Sequence, residues 1–332
     1  MSIWKKLREN HVFKSFICWF DDEAGDDRVS GLQSEKVDWL RVIPFVLLHL
    51  ACIAVVWTGW SPAAVWTALG LYVIRMLAVT GVYHRYFSHR AYKTSRFWQF
   101  VFAVIATSSA QKGPLWWAAN HRHHHRFADK PEDIHSPIQH GFLWSHLLWI
   151  LSPKYLATNK KLVKSWLVFP ELLFLNRFSI LPPLGLLCLL WIFGEVLRIY
   201  VPSSGTSGAQ MVVWGLCIST VVLFHATATI NSLDHMVGKR RYNTPDHSRN
   251  NWFLALITFG EGWHNNHHHY PIAARNGFFW WEYDVTYYVL KFLQLLGIVY
   301  ELNELPIKRR DSGLLDKPNG QQEAGKYNIE NN

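Results

Sequence analysis

AAVWTALGLYVIRMLAVTGVYHRYFSH, residues 63–89, decides the reading of this chain. Residues 63–83 are apolar with a single charge, Arg75, and approach the roughly 20 residues a membrane-crossing helix needs. The run then turns polar and presents His84 and His89 within six residues. A spanning helix that opens directly onto paired histidines predicts an integral membrane protein with a histidine-rich site at one membrane face.

Working outward, three more stretches have spanning character: 42–59, 180–200 and 209–230. The links Trp60-Ser61-Pro62 and 201–208 are short and carry no charge, so the four segments pair as two hairpins. Lys and Arg concentrate in the N-terminal segment, in 84–179 and after 231, which the positive-inside rule places in the cytoplasm. Stretches 97–112, 141–151 and 285–300 are apolar but shorter or interrupted by charge, and read as helices lying on or dipping into the membrane. Glu195 and Arg198, three apart, predict a local ion pair at the interface. The expected fold class is all-α: four transmembrane helices in two hairpins plus a cytoplasmic helical cap. Residues 1–40, with the acidic run Asp21, Asp22, Glu23, are expected as a partly helical cytoplasmic leader, 41–305 as the working domain and 306–332 as a polar, disordered tail.

The composition agrees. Half of the 332 residues are hydrophobic, and 18 Trp and 20 Phe suit membrane-interface anchoring. The net charge of +9, on an apolar chain, favours anionic lipid or an acidic protein partner over nucleic acid. Cys18, Cys52, Cys188 and Cys217 show no CxxC spacing and are expected as packing residues, not a disulfide framework. No secretory signal is expected at the N-terminus.

The 18 histidines are not scattered. His84 and His89 stand in HRYFSH, His121, His124 and His125 in HRHHH, His264, His267 and His268 in HNNHH, and Asn231 and His235 in NSLDH, all on one expected side of the membrane. Positions three and four apart share a helix face, so HRHHH and HNNHH each point their histidines one way. His84 and His89, five apart, fall roughly 140° around an ideal α-helix. Neutral imidazole is the commonest protein metal ligand, and nine histidines are too many for one four-coordinate zinc. The count suits two metals. Spacing alone leaves Fe, Cu, Zn and Ni open. Asp133 and Glu261 are candidates to orient ligand imidazoles by accepting their other N–H.

At these motifs the chain resembles the membrane-bound fatty-acid desaturase family, in its acyl-CoA, delta-9-type branch, from about residue 40 to 305. ADKPEDIHSP, GFLWSHLLWIL and GEGWHNNHH extend the likeness, and the variants HSP and GWHNNHHHYP look bacterial. The resemblance implies two irons held by His84, His89, His121, His124, His125, His235, His264, His267 and His268, with Asn231 completing one shell through water. It places His123 and His269 at non-ligand positions. His135, His140 and His146 are expected as neighbours of the site or structural residues, and His225, inside the fourth span, reads equally as a functional polar residue or a hydrogen-bonded packing residue.

The implied activity is oxygen-dependent insertion of a cis double bond, at delta-9 for this branch, with molecular oxygen as co-substrate. An unactivated methylene has no acidic proton, so an iron–oxygen oxidant is required, and the protein's part is positioning. An apolar tunnel must hold the chain, for which Trp116, Trp117, Trp144, Trp149 and Trp263 are candidates; interfacial anchoring is the other reading of these residues. Electrons must come from a separate ferredoxin- or cytochrome-type donor with its reductase. Animal acyl-CoA members carry Arg-Asp just before the second histidine motif, where this chain has Ala119-Asn120, so the acyl carrier is either CoA or a membrane lipid. Two rival readings stand: a sister hydroxylase or alkane monooxygenase on the same metals, and a histidine-rich metal transporter. The second is disfavoured because the expected spans hold few ionisable residues.

Overall fold

The structure, a computed structural model, describes residues 11–24 and 37–315; the rest of the expected leader and residues 316–332 of the expected tail lie outside the described residues. It is helical apart from one antiparallel pair, Lys93–Thr94 against Val299–Tyr300. Three helices are long and apolar enough to cross a membrane: Pro62–Ser88, Leu181–Tyr200 and Gly208–His235. They cover the second, third and fourth expected spans. The first expected span falls short, because the apolar helix Ile43–Thr58 is shorter than these. The limits are local. Pro44 stands in its first turn, a 3-10 turn at Cys52–Ala54 interrupts it, and Gly59 at φ 66 ends it. Pro62 then opens the next helix, whose Ala64 N–H is capped by Ser61 Oγ at 3.2 Å.

The apolar helices turn large side chains outward, among them Trp57 on the shorter one and Trp66, Leu189, Trp191 and Ile192 on the long ones. Such a belt suits hydrocarbon and not water. The charge inside the second span is Arg75, almost wholly buried, and the fold satisfies it without a carboxylate. Its guanidinium donates to the carbonyls of Leu71, Ser108 and Gly215 and to the hydroxyls of Thr220 and Ser219. Arg75 thereby ties two long helices to the end of Arg96–Thr107.

The shorter apolar stretches form Arg96–Thr107, the pair Phe142–His146 and Leu148–Leu151, and Val285–Leu295. The largest core packs Ala78–Ser88 and Arg96–Thr107 against Pro114–Phe127, through Tyr83, Phe87, Ala103 and Leu115. This core fixes the first two histidine motifs relative to each other. The tail expected from 306 begins as packed chain: Ile307–Arg310 is helical, the Tyr242 hydroxyl donates to Arg310 O at 2.7 Å, and Leu314 bridges to Tyr242.

Candidate metal centre

The expected 140° separation of His84 and His89 does not occur. The helix Pro62–Leu77 widens into a π-helix over Ala78–Ser88, and the His89 N–H donates to His84 O at 3.2 Å, a bond between residues five apart. In that winding, positions five apart stack, and the two imidazole centroids lie 4.9 Å apart. HRHHH occupies the last turns of Pro114–Phe127, and HNNHH forms the short helix His264–His269. His235 ends the long helix that carries Asn231.

These elements assemble two groups of side chains. His84, His89, His121, His125 and His267 form one; His124, His235, His264 and His268 form the other; within each, the available ligand atoms all lie within 4.8 Å of one another. HRYFSH serves only the first group and NSLDH only the second, but HRHHH and HNNHH are each divided between the two. His121 and His125 turn to the first and His124 to the second, while His264 and His268 turn to the second and His267 to the first. The i, i+4 pairs stay together and the intervening residue crosses over, which corrects the expectation that each box points one way. The groups adjoin: the His125 and His268 rings stack at 4.5 Å.

Four carboxylates fix four of the rings. Asp133 accepts from His124 Nδ1 at 3.0 Å, Asp129 from His235 Nδ1 at 2.9 Å and Asp246 from His268 Nδ1 at 2.9 Å, while Glu261 lies against His84 Nδ1. Asp133 and Glu261 were legible as candidates in the sequence; Asp129 and Asp246 were not. Asp129 stands in the left-handed region at φ 58, where it also takes the Ser136 hydroxyl at 2.6 Å and the His247 N–H at 2.7 Å. Arg85 and Arg122, the second residues of HRYFSH and HRHHH, brace the motifs from behind. Arg85 pairs with Glu261 and Asp284, and Arg122 donates to the carbonyls of Phe87, Ser88 and Leu162.

In these four rings Nδ1 is taken by a carboxylate, which turns the Nε2 lone pair inward. Nε2 atoms accordingly face one another: His84 and His267 at 3.0 Å, His89 and His121 at 2.8 Å, His121 and His125 at 3.0 Å, His125 and His267 at 2.9 Å, His235 and His264 at 3.1 Å. Two nitrogens each about 2.1 Å from one ion at a right angle lie about 3 Å apart. His268 Nε2 is buried with no partner at all. Converging lone pairs and an orphaned donor atom fit a bound cation in each group.

Electrostatics keep these ligands ready. Burial holds His89, His121, His125, His264 and His267 well below the ordinary histidine range, so they stay neutral. Burial also lowers His268, opposed by Asp246. At His124 burial is overcome by Asp133, and the net shift is upward. Burial would raise Asp129, Asp133, Asp246 and Glu261, but their histidine partners hold all four below the usual carboxylate range.

A cavity of about 280 Å³ runs up to the centre, with His121, His135 and Asn231 in its wall. Trp116, Trp117 and Trp149 line it, and Trp116 and Trp149 stack at 5.7 Å. Trp144 and Trp263 do not; their indole N–H groups are drawn away to Ile134 O and Tyr283 O. Asn231 also borders a smaller pocket beside His124 and His264. The remaining histidines stand outside the two groups. His123 and His269 bind the carbonyls of Glu132 and Arg309, and His140 that of Asp133. His135 packs on His124 at 4.5 Å, and His146 bonds His225 at 3.0 Å.

Residues 36–299 match the family model described as Fatty acid desaturase. The chain is similar to Acyl-CoA 5-desaturase AL21 of Anemone leveillei, at 35% identity covering 81% of this chain and 84% of that protein. It is similar to the palmitoyl-monogalactosyldiacylglycerol delta-7 desaturase of Arabidopsis thaliana, at 37% identity covering 81% and 69%. It is also similar to the sn-1 stearoyl-lipid 9-desaturase of Anabaena variabilis, at 35% identity covering 79% and 93%.

Proposed function

The chain belongs to the fatty acid desaturase family, oxidoreductases acting on acyl chains, and from that premise we propose that it inserts a cis double bond at delta-9 of a saturated acyl chain, using two irons, molecular oxygen and external electrons. The observation that carries this reading is the pair of histidine groups at the end of an apolar cavity. His84, His89, His121, His125 and His267 would hold one iron. His124, His235, His264 and His268 would hold the other, with Asn231 adding a water-mediated contact. Iron there would supply the oxygen activation that removal of hydrogen from an unactivated methylene requires.

The chain's own residues do the rest. Trp116, Trp117 and Trp149 present flat apolar walls that hold an extended acyl chain against the histidines. Asp129, Asp133, Asp246 and Glu261 fix ring tautomers and orientations. In sum, two hydrogens leave the chain, oxygen is reduced to water, and two electrons and two protons enter from outside. The electrons come from a separate ferredoxin- or cytochrome-type carrier that meets the basic face. The acyl group arrives on CoA or on a membrane lipid.

Residues 41–305 form the desaturase domain, with Ile43–Thr58 completing two hairpins and the histidine groups in a cytoplasmic cap of a bacterial inner membrane. The absence of charge from the hairpin links supports this orientation. The NSLDH and EDIHSP context favours desaturation over hydroxylation by a sister enzyme. Fatty-acid methyl-ester profiling of a desaturase-deficient host tests the reading. Expression of the chain should add a monounsaturated acid that a His267→Ala/His268→Ala variant does not produce. A hydroxylated product, or an unchanged profile with iron-loaded protein and a working donor, overturns it.

A further inference from the structure

The acidic run Asp21, Asp22, Glu23 is tied to the rest of the fold. Each carboxylate meets a different cation from a different part of the fold: Asp21 with Arg177 at 2.7 Å, Asp22 with Lys112 at 2.5 Å and Glu23 with Lys160 at 2.8 Å. Asp22 also accepts the Ser179 hydroxyl, its N–H donates to Arg177 O at 2.8 Å, and the Trp19 indole N–H donates to Leu40 O at 3.0 Å. The segment is a strap, clipped at several points.

The strap lines the same cavity that the candidate metal site lines through His121. Cys18, Trp19 and Asp22 stand in its wall beside Arg41 and Lys112, the two Lys or Arg side chains there among the described residues. Both cations are already engaged. Lys112 is held by Asp22, and Arg41 donates to Cys18 Sγ at 2.7 Å and lies 4.0 Å from Asp38. Further along the wall stands neutral Asn120, its amide N–H spent on Trp116 O at 3.0 Å.

We propose, resting on the desaturase reading, that this strap selects the acyl carrier: the substrate is an acyl chain esterified to a membrane lipid with an uncharged head group, and polyanionic acyl-CoA is excluded. The physical reason is competition. Among the described residues, a carrier with several phosphate charges finds no unpaired Lys or Arg in the wall, and to win one it must break an ion pair and leave the strap's carboxylate facing its phosphates. An uncharged head group pays no such cost and hydrogen-bonds to the strap's polar edge.

Titration calorimetry on the full iron-loaded chain in uncharged detergent tests this, with stearoyl-CoA and monostearoyl monogalactosylglycerol as probes. The galactolipid should bind at least about tenfold more tightly than stearoyl-CoA. In Asp21→Asn/Asp22→Asn/Glu23→Gln, stearoyl-CoA should tighten about tenfold and become salt-sensitive, because three partly exposed ion pairs are released, while galactolipid binding changes less than about twofold. Should the triple variant not fold, Glu23→Gln alone, at the most exposed of the three carboxylates, should shift stearoyl-CoA in the same direction by about twofold. Equal binding of both probes by the unaltered chain, or a variant that leaves their ratio unchanged, overturns the proposal. Binding is read without turnover. Galactolipid preference without alkene formation would therefore overturn the desaturase reading and not this selection.

Discussion

Asp246 shows what a single carboxylate does in this site. It holds His268 Nδ1 at 2.9 Å and so aims an otherwise partnerless Nε2 inward. Asp246→Asn keeps the volume but removes the charge that favours Nδ1–H. Iron affinity of the second group should fall about 10- to 100-fold with the fold retained, as read by chelator competition and circular dichroism. The buried imidazoles also set a pH response. His89, His121, His125, His264 and His267 titrate lower folded than unfolded, so the unfolded chain binds more protons as pH drops. Their neutral burial is free of penalty above about pH 6.5 and costs stability below it, by up to about 1.4 kcal/mol per pH unit per ring. His124, shifted upward, works in the opposite sense. Metal-free protein should therefore lose melting temperature as pH falls from 7 towards 5.5 in detergent, and a flat profile would contradict the burial argument. At this scale the histidines and two of their carboxylates were legible, because motif spacing marks them. Asp129 and Asp246 were not, because no motif spacing ties them to His235 and His268, which they meet only in the folded chain.

At the scale of elements, two local departures from ideal geometry build the site. The π-helix over Ala78–Ser88 brings residues five apart onto one face, where the His84 and His89 rings meet edge-on, and nothing in a period-3.6 reading anticipates it. The loop before His264–His269 is the other. Phe259 at φ 57 and Gly260 at φ 120 fold it back, and Gly262 packs so closely that a Cβ there would lie 2.1 Å from Ala255 N. Gly262→Ala must displace backbone on one side, and the side that moves carries His264. It should cost about 3 kcal/mol or more and reduce iron retention, measured by thermal unfolding and metal content. Wild-type stability in that variant would show the contact to be looser than described. The first apolar helix was mis-sized for a comparable reason: hydropathy extends from 42 to 59, but Pro44 and Gly59 limit the helix itself.

The whole molecule joins three long apolar helices to a cavity lined by both the N-terminal strap and the candidate metal site. The helices and the histidine motifs were readable because apolar length and clustered imidazoles are strong local signals. The strap was not, since an acidic run reads as solvated until Arg177, Lys112 and Lys160 are seen around it. The division of nine histidines into groups of five and four was equally hidden, because HRHHH and HNNHH each contribute to both. Metal stoichiometry reads that division out. Anaerobically reconstituted protein should hold about two irons per chain. His121→Ala, which damages only the five-histidine group, and His264→Ala, which damages only the four-histidine group, should each leave about one. One iron in the unaltered chain, or two irons surviving in either variant, would contradict the account.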